Sequence, residues 1–195
     1  FELCEELKVD KLYISHLVYS GRGKDNLEID ISKEQRRKYV EFIIDKAFEY
    51  YKNGNNIDLV TGNMEMDAIM LLDRFKKEYP DFVETLEQKL KAWGGNSAGY
   101  RLGNMDWAGN VKPDPFFPFV VGNYLETPFD EIWTSTSNEI LNKLREHPRQ
   151  IKGRCEECKY IEICNGGSRS RAYAISGDLW EEDPSCYLTL EETRR

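Results

Sequence analysis

Hydrophobic and polar positions along this chain follow two different periods. Phe1-Glu2-Leu3-Cys4-Glu5-Glu6-Leu7 reads as a helix. Residues 11–19, Lys-Leu-Tyr-Ile-Ser-His-Leu-Val-Tyr, are β-branched and aromatic and stop at Ser20-Gly21-Arg22-Gly23, which predicts a strand. Ser32 with Gln35 three residues on is a capping box that opens a helix. Tyr39, Phe42, Ile43, Ala47, Tyr50 and Tyr51 then recur close to a 3.6-residue period, and Asn53-Gly54 stops them. Ile57-Asp58-Leu59-Val60-Thr61 is a second short strand. A strand, a helix and a strand in this order predict a parallel βαβ unit.

Two more helices are expected before Gly94-Gly95. One covers residues 66–77 and is bounded by Pro80; the other starts at Asp81, with Glu84 completing a cap-like pair, and runs to Trp93. The paired glycines mark a domain boundary, giving 1–93 and 94–195. Beyond it the pattern changes. Residues 100–107 and 111–113 flank Ala108-Gly109-Asn110, which predicts a hairpin with a Gly-Asn turn. Pro113, Pro115 and Pro118 force an irregular aromatic loop. Short helices follow, at 128–133 with Pro128 in its first turn, at 138–146, and at 168–176. Trp93, Trp107, Trp133 and Trp180 are expected in the core.

Composition bounds the function. The chain has 195 residues, 40 % hydrophobic and 32 % charged, with net charge −8. That suits a soluble globular protein with no global electrostatic attraction for nucleic acid. No apolar run approaches the ~18 residues of a membrane span, and no signal peptide is visible. The first residue is Phe1 and not Met, so a C-terminal fragment of a longer protein is expected.

Four of the five cysteines fall in one segment, as Cys155-x2-Cys158-x5-Cys164 with Cys186 22 positions further on. Four thiolates suit Zn²⁺ or an iron–sulfur cluster. A Cys4 zinc ribbon takes two C-x2-C knuckles, and the second is missing here, so the layout is closer to a [4Fe–4S] site. Two disulfides or free thiols are the plain alternative. Clustered cysteines in such a chain favour metal and a reducing, cytoplasmic compartment.

Several motifs carry a family resemblance. They are Met105-Asp106-Trp107-Ala108-Gly109-Asn110-Val111-Lys112-Pro113, Gly122-Asn123 with Glu131-Ile132-Trp133, the cysteine run after Gly153-Arg154, and Gly177-Asp178-Leu179-Trp180 with Asp183-Pro184-Ser185-Cys186. This half resembles the SPASM-type C-terminal domain of radical S-adenosylmethionine enzymes. Asn96-Ser97-Ala98-Gly99, Pro113-Asp114, Cys164-Asn165-Gly166, Cys186-Tyr187-Leu188 and His16-Leu17-Val18-Tyr19-Ser20-Gly21-Arg22-Gly23 are similar to the subgroup of siroheme-dependent haem and haem d1 synthesis. Asn96 and Asp114 stand where SPASM domains usually place further cysteines, so the resemblance implies one auxiliary cluster. The family's catalytic C-x3-C-x2-C is not in this sequence. The family places it upstream, with S-adenosylmethionine and a second [4Fe–4S] cluster, so this stretch alone is expected to be inactive.

The resemblance implies an α/β fold: the last strands and helices of a partial (βα)6 barrel, then a small α+β iron–sulfur domain. Cys155, Cys158, Cys164 and Cys186 would hold a [4Fe–4S] auxiliary cluster that relays electrons, contacts substrate or only clips loops together. The reaction would be radical removal of acetate side chains from a siroheme-derived tetrapyrrole in alternative haem biosynthesis, with an electron donor such as ferredoxin and no nucleic-acid or membrane partner. Carboxylate substrates call for arginine forks, for which Arg22, Arg101, Arg169 and Arg171 are the candidates. Arg22 and His16 lie near the C-terminal end of a barrel strand, where catalytic groups sit, although a lone strand histidine also suits a satisfied core position. Haem d1 propionate removal, peptide maturation by a SPASM enzyme, and a non-catalytic Cys4 zinc module are the alternatives.

Overall fold

The structure, a computed structural model, describes residues 1–194. Helix α1 (Glu2–Glu6) leads into strand β1 (Lys11–Ser15). Two 3-10 turns broken at Asn26 occupy Gly21–Ile29, and helix α2 (Lys33–Lys52) follows. The capping box forms: Ser32 Oγ accepts from the Gln35 N–H and Gln35 Oε1 accepts from the Ser32 N–H. Strand β2 (Asp58–Gly62) pairs parallel with β1 in the register Lys11↔Asp58 to Ser15↔Gly62. The βαβ unit is therefore present. Its first strand ends at Ser15, short of the expected residue 19, and His16 continues only as far as donating its N–H to the Gly62 carbonyl.

The stripe on α2 is rotated from the one its aromatic residues suggest. Tyr39, Phe42 and Tyr51 are exposed, while Arg36, Val40, Ile43, Ile44 and Tyr50 face inward. The buried face is filled by three aliphatic residues, one tyrosine whose hydroxyl reaches Glu5, and one arginine.

Helices α3 (Met66–Glu78) and α4 (Val83–Trp93) come next. Asp81 does not cap α4; it lies in a 3-10 turn, Pro80–Phe82, that feeds the helix directly. Gly94, with φ +74, closes α4 in the left-handed region. The second half contains an antiparallel sheet in the order β3 (Asn104–Met105), β4 (Asn110–Lys112) and β5 (Gly122–Asn123). Asp106 makes the hairpin turn by accepting from the Ala108 and Asn110 N–H groups, so Asn110 opens β4 instead of sitting in the turn. Helices α5 (Phe129–Thr134), α6 (Glu139–Arg145), α7 (Ile161–Cys164), α8 (Arg169–Ser176) and α9 (Leu190–Thr193) complete the chain. Pro128 is the N-cap of α5, one position ahead of its expected place. None of the four tryptophans is fully buried, and Trp107 at the hairpin tip is 98 % exposed.

The main core unites both halves. Val40 and Ile44 of α2 and Met66, Ile69, Met70 and Leu72 of α3 pack with Cys158, Tyr160, Ile163, Cys164, Tyr187 and Leu188. Gly95 brings the halves into backbone contact: a Cβ there would lie 2.3 Å from the Cys164 carbonyl oxygen. A smaller core of Phe117, Leu144 and Leu179 supports the second half. Among the described residues no helix is long and apolar enough to cross a membrane.

Candidate functional site

Cys155, Cys158, Cys164 and Cys186 line one small cavity of about 20 Å³, closed by Met66 and Ile69 of α3, Arg154 and Leu188. Local structure delivers each sulfur. Cys155 ends a 3-10 turn, Gly153–Cys155, and its carbonyl accepts from the Cys158 N–H. Cys164 ends α7, and Asn165 and Gly166 then take positive φ to turn the chain away from the cavity. Its Sγ lies 3.5 Å from Met66 Sδ. Cys186 closes a turn in which its N–H reaches the Asp183 carbonyl.

Asp183 organises that turn. Its buried carboxylate accepts from the N–H groups of Ser168 and Ser185 and from Arg171, whose Nη2 is 2.8 Å away. Arg171 holds the Asp183 carboxyl below its ordinary value against the opposing effect of burial. Arg154 donates to Glu182 and to the Leu188 carbonyl at the cavity rim.

Cys155, Cys164 and Cys186 carry free thiols, as does Cys4. Burial pushes Cys155 up to about 12 and raises Cys164 and Cys186 too. In the absence of a metal these sulfurs are protonated, and a bound cation would displace the protons. Among the described residues no group of three or more His, Cys, Asp or Glu side chains is arranged to hold a metal ion. The donor set is nevertheless four soft sulfurs around one largely apolar cavity, which fits a thiolate-held centre.

A second polar assembly lies beside the cavity. Tyr19 donates to Asp30 Oδ2 at 2.7 Å, and Arg36 Nη2 donates to the same oxygen at 2.8 Å. Arg36 Nη1 is 2.9 Å from His16 Nδ1. A guanidinium only donates, so Nδ1 accepts and the ring proton sits on Nε2. That proton goes to Asp67 Oδ2 at 2.9 Å, and Tyr187 donates to Asp67 Oδ1 at 2.7 Å. Burial, then Asp67, raises the Tyr187 phenol well above its ordinary value. Because the Tyr19 hydroxyl proton is engaged with Asp30, Ser185 Oγ is the donor to Tyr19 at 3.0 Å.

The other expected site residues fall in different places. Arg22 is exposed on the 3-10 segment. Arg101 caps α4 by donating to the Ala92 and Trp93 carbonyls and stacks on Trp93 and Tyr100. Arg169 donates to the carbonyls of Leu179, Glu181, Gly166 and Gly167, and Arg171 to Asp183 and the carbonyls of Leu17 and Asn63. These three arginines, expected as forks for substrate carboxylates, are committed to the protein's own acceptors, two of them deep inside it. His16 likewise has both ring nitrogens engaged, which is the arrangement of a bridging residue.

Sequence reasoning missed Arg36, Asp67 and Glu65. Arg36 shares the α2 face of Val40 and Ile43, and Asp67 lies among the buried residues of α3; charges at core positions were the available signal. Glu65 lines a larger cavity of about 470 Å³ at the C-terminal end of β2. Its Oε1 accepts from Asn96 Nδ2 at 3.1 Å, and its Oε2 is buried without a hydrogen-bond partner. Burial raises its pKa. Asp114 is also buried, with its carboxyl raised by desolvation and accepting from the Phe116 N–H.

No protein-family model matches the chain. Curated relatives do. The chain is 41 % identical over 195 residues to pre-heme d1 synthase of Dinoroseobacter shibae, covering 98 % of this chain and 48 % of that protein. It is 36 % identical over 196 residues to Fe-coproporphyrin III synthase of Methanosarcina barkeri, covering 98 % and 49 %. It is 31 % identical over 192 residues to AdoMet-dependent heme synthase of the same organism, covering 95 % and 50 %. The chain spans about half the length of the curated relatives it matches.

Proposed function

The chain belongs to the radical S-adenosylmethionine enzymes of haem and haem d1 synthesis, and we propose that it forms part of an enzyme removing carboxylate-bearing side chains from a siroheme-derived tetrapyrrole. In this reading residues 1–93 complete a partial barrel and residues 94–195 form a SPASM-like auxiliary cluster domain. S-adenosylmethionine and a second cluster belong to sequence outside this chain, and a ferredoxin-type protein in the cytoplasm donates the electrons.

The observation that carries the reading is the convergence of four cysteines on one cavity within a chain of this ancestry. Cys155, Cys158, Cys164 and Cys186 would hold a [4Fe–4S] cluster, which supplies one-electron transfer when bound. The chain's own part is to keep the sulfurs dry and oriented. Met66, Ile69 and Leu188 shield them from water, and Arg154 sets a positive charge at the rim. Of the arginines expected to meet the substrate, Arg22 and Arg101 are exposed, and Arg101 is held by the Ala92 and Trp93 carbonyls, so Arg22 is the one we assign to a substrate carboxylate. Glu65 offers an unpartnered carboxyl oxygen in the cavity at the end of β2, where ligands of parallel sheets bind.

Acetate removal on the way from didecarboxysiroheme to iron-coproporphyrin is the reaction we assign first. The 41 % identity with pre-heme d1 synthase favours a second assignment, propionate removal in haem d1 synthesis. The test uses the full-length protein, purified without oxygen and reconstituted with iron and sulfide. Supplied with a one-electron reductant such as reduced ferredoxin, S-adenosylmethionine and tetrapyrrole, it should yield 5′-deoxyadenosine and a product lighter by acetate or by propionate, which separates the two assignments. Equimolar zinc without a charge-transfer band near ~400 nm would overturn the cluster and leave a zinc module.

A further inference from the structure

We propose that His16, Asp67 and Tyr19 are positioning residues for Cys186. The proposal rests on the reading of Cys186 as a cluster ligand. Cys155, Cys158 and Cys164 lie within one ten-residue stretch of turns and short helix, so local structure holds them together. Cys186 comes 22 residues later on an irregular strap with no regular element of its own. Something from elsewhere in the fold must fix it.

The residues on either side of Cys186 are both anchored. Ser185 Oγ is held by Tyr19 at 3.0 Å, and Tyr187 OH by Asp67 at 2.7 Å. These two anchors are joined to each other. Tyr19 reaches Asp30, Asp30 reaches Arg36, Arg36 reaches His16, and His16 reaches Asp67. The hydrogen bonds thus form a closed ring whose last link is the backbone of Ser185-Cys186-Tyr187. Five of the ring's side chains, Tyr19, Arg36, Asp67, Ser185 and Tyr187, are buried.

Each member has a definite task. Arg36 occupies His16 Nδ1 and so directs the ring proton towards Asp67. His16 fills Asp67 Oδ2, leaving Oδ1 for Tyr187. Tyr19 fixes the other end of the strap. A strap pinned at both neighbours of its cysteine holds the sulfur to the tolerance a ligand needs, about 0.5 Å. The ring also spans residues 16–30, the segment that carries exposed Arg22, so the substrate-facing turn and the fourth ligand are mechanically one unit.

The test is the double variant Tyr19→Phe with Tyr187→Phe, which deletes two hydroxyls and keeps both rings, with Tyr50→Phe as control. Tyr50 is another buried tyrosine, bonded to Glu5 away from the cavity. Two readouts are taken on the full chain. In metal-free protein, Cys186 should alkylate at least tenfold faster than in wild type while Cys155 is unchanged. After reconstitution, the double variant should hold about three irons per auxiliary site instead of about four and show the paramagnetic signal of an oxidised three-iron cluster. The control should match wild type in both. Equal acceleration at Cys155 and Cys186, or an unchanged Cys186 rate, would overturn the positioning role. If wild type takes up no auxiliary cluster, the cluster reading fails, and the alkylation pattern still decides whether the ring holds Cys186.

Discussion

Replacing Asp183 with alanine tests how the cysteine strap is held. Arg171 is 0 % exposed and Asp183 1 % exposed, and three nitrogen–oxygen contacts of 2.8 to 3.2 Å join them. Asp183→Ala leaves the guanidinium buried without its counter-charge and strips the acceptor from the Ser168 and Ser185 N–H groups. Removing one partner of such a pair typically costs about 3–5 kcal/mol. The carbonyls of Leu17 and Asn63 still accept from Arg171, so a loss of about 4 kcal/mol is expected. With a urea slope of about 2 kcal/mol per molar, the midpoint should fall by about 2 M when unfolding is followed by tryptophan fluorescence. Arg171→Met combined with Asp183→Leu should recover part of that loss, since the buried charge goes with its partner while the Ser168 and Ser185 N–H groups still lack their acceptor. The acid limb supplies a second check. The folded carboxyl lies below its ordinary value of 3.8, so its stabilisation is present above that value and is lost as pH falls through the lower folded one. Asp183→Asn should lack that loss. A midpoint shift below about 0.5 M for Asp183→Ala would refute the reasoning, because the pair would then contribute no more than a surface one.

Other outcomes follow from the same structure. Burial raises the Glu65 carboxyl above 4.5, so the native state is penalised as pH climbs from 4.5 through the folded value; Glu65→Gln should therefore be about 1–2 kcal/mol more stable near neutrality and equal to wild type in acid, by urea titration. Arg37 grips Glu192 through two hydrogen bonds and lowers its carboxyl to about 2, but the pair is partly exposed. Glu192→Gln should cost no more than about 1 kcal/mol, a difference that disappears in high salt and as pH drops from 4.5 towards 2. Gly95→Ala combines a left-handed φ of +69 with a Cβ against the Cys164 carbonyl, so a loss of about 1–3 kcal/mol and weaker iron retention are expected in melting and metal assays. Stripping iron from the reconstituted protein with a chelator should lower Tm, and reloading should restore it; an unchanged Tm would mean that the metal binds without coupling to the fold.

The features that were legible in the sequence are those decided locally. The Ser32–Gln35 cap, the α2 period and the β1–β2 order each depend on residues a few positions apart, and the parallel pair followed from them. The four cysteines were legible from spacing, and the structure gathers them around one cavity. What escaped was either too short or too distant. Strand β5 has two residues and helices α7 and α9 four each, too few to express a period. Trp107 looked like core, but Asp106 folds the turn so that the indole points outward. Arg169 and Arg171 looked like substrate forks because backbone carbonyls carry no signature in side-chain identity: Arg169 is taken up by those of Gly166, Leu179 and Glu181 nearby, and Arg171 by those of Leu17 and Asn63 more than a hundred residues away. The links from His16 to Asp67 and from Tyr19 to Ser185 are long-range for the same reason.

Met66 and Ile69 of α3 form part of the wall around the four sulfurs. The stretch from Gly153 to Cys186 is therefore no portable cassette. Transplanted alone onto another scaffold, it would arrive with one side of its container missing, open to water and oxygen. Conversely, an inherited change at Met66, some ninety residues before the nearest cysteine of the segment, would be felt first as altered metal retention and only afterwards as altered packing of the helix that bears it.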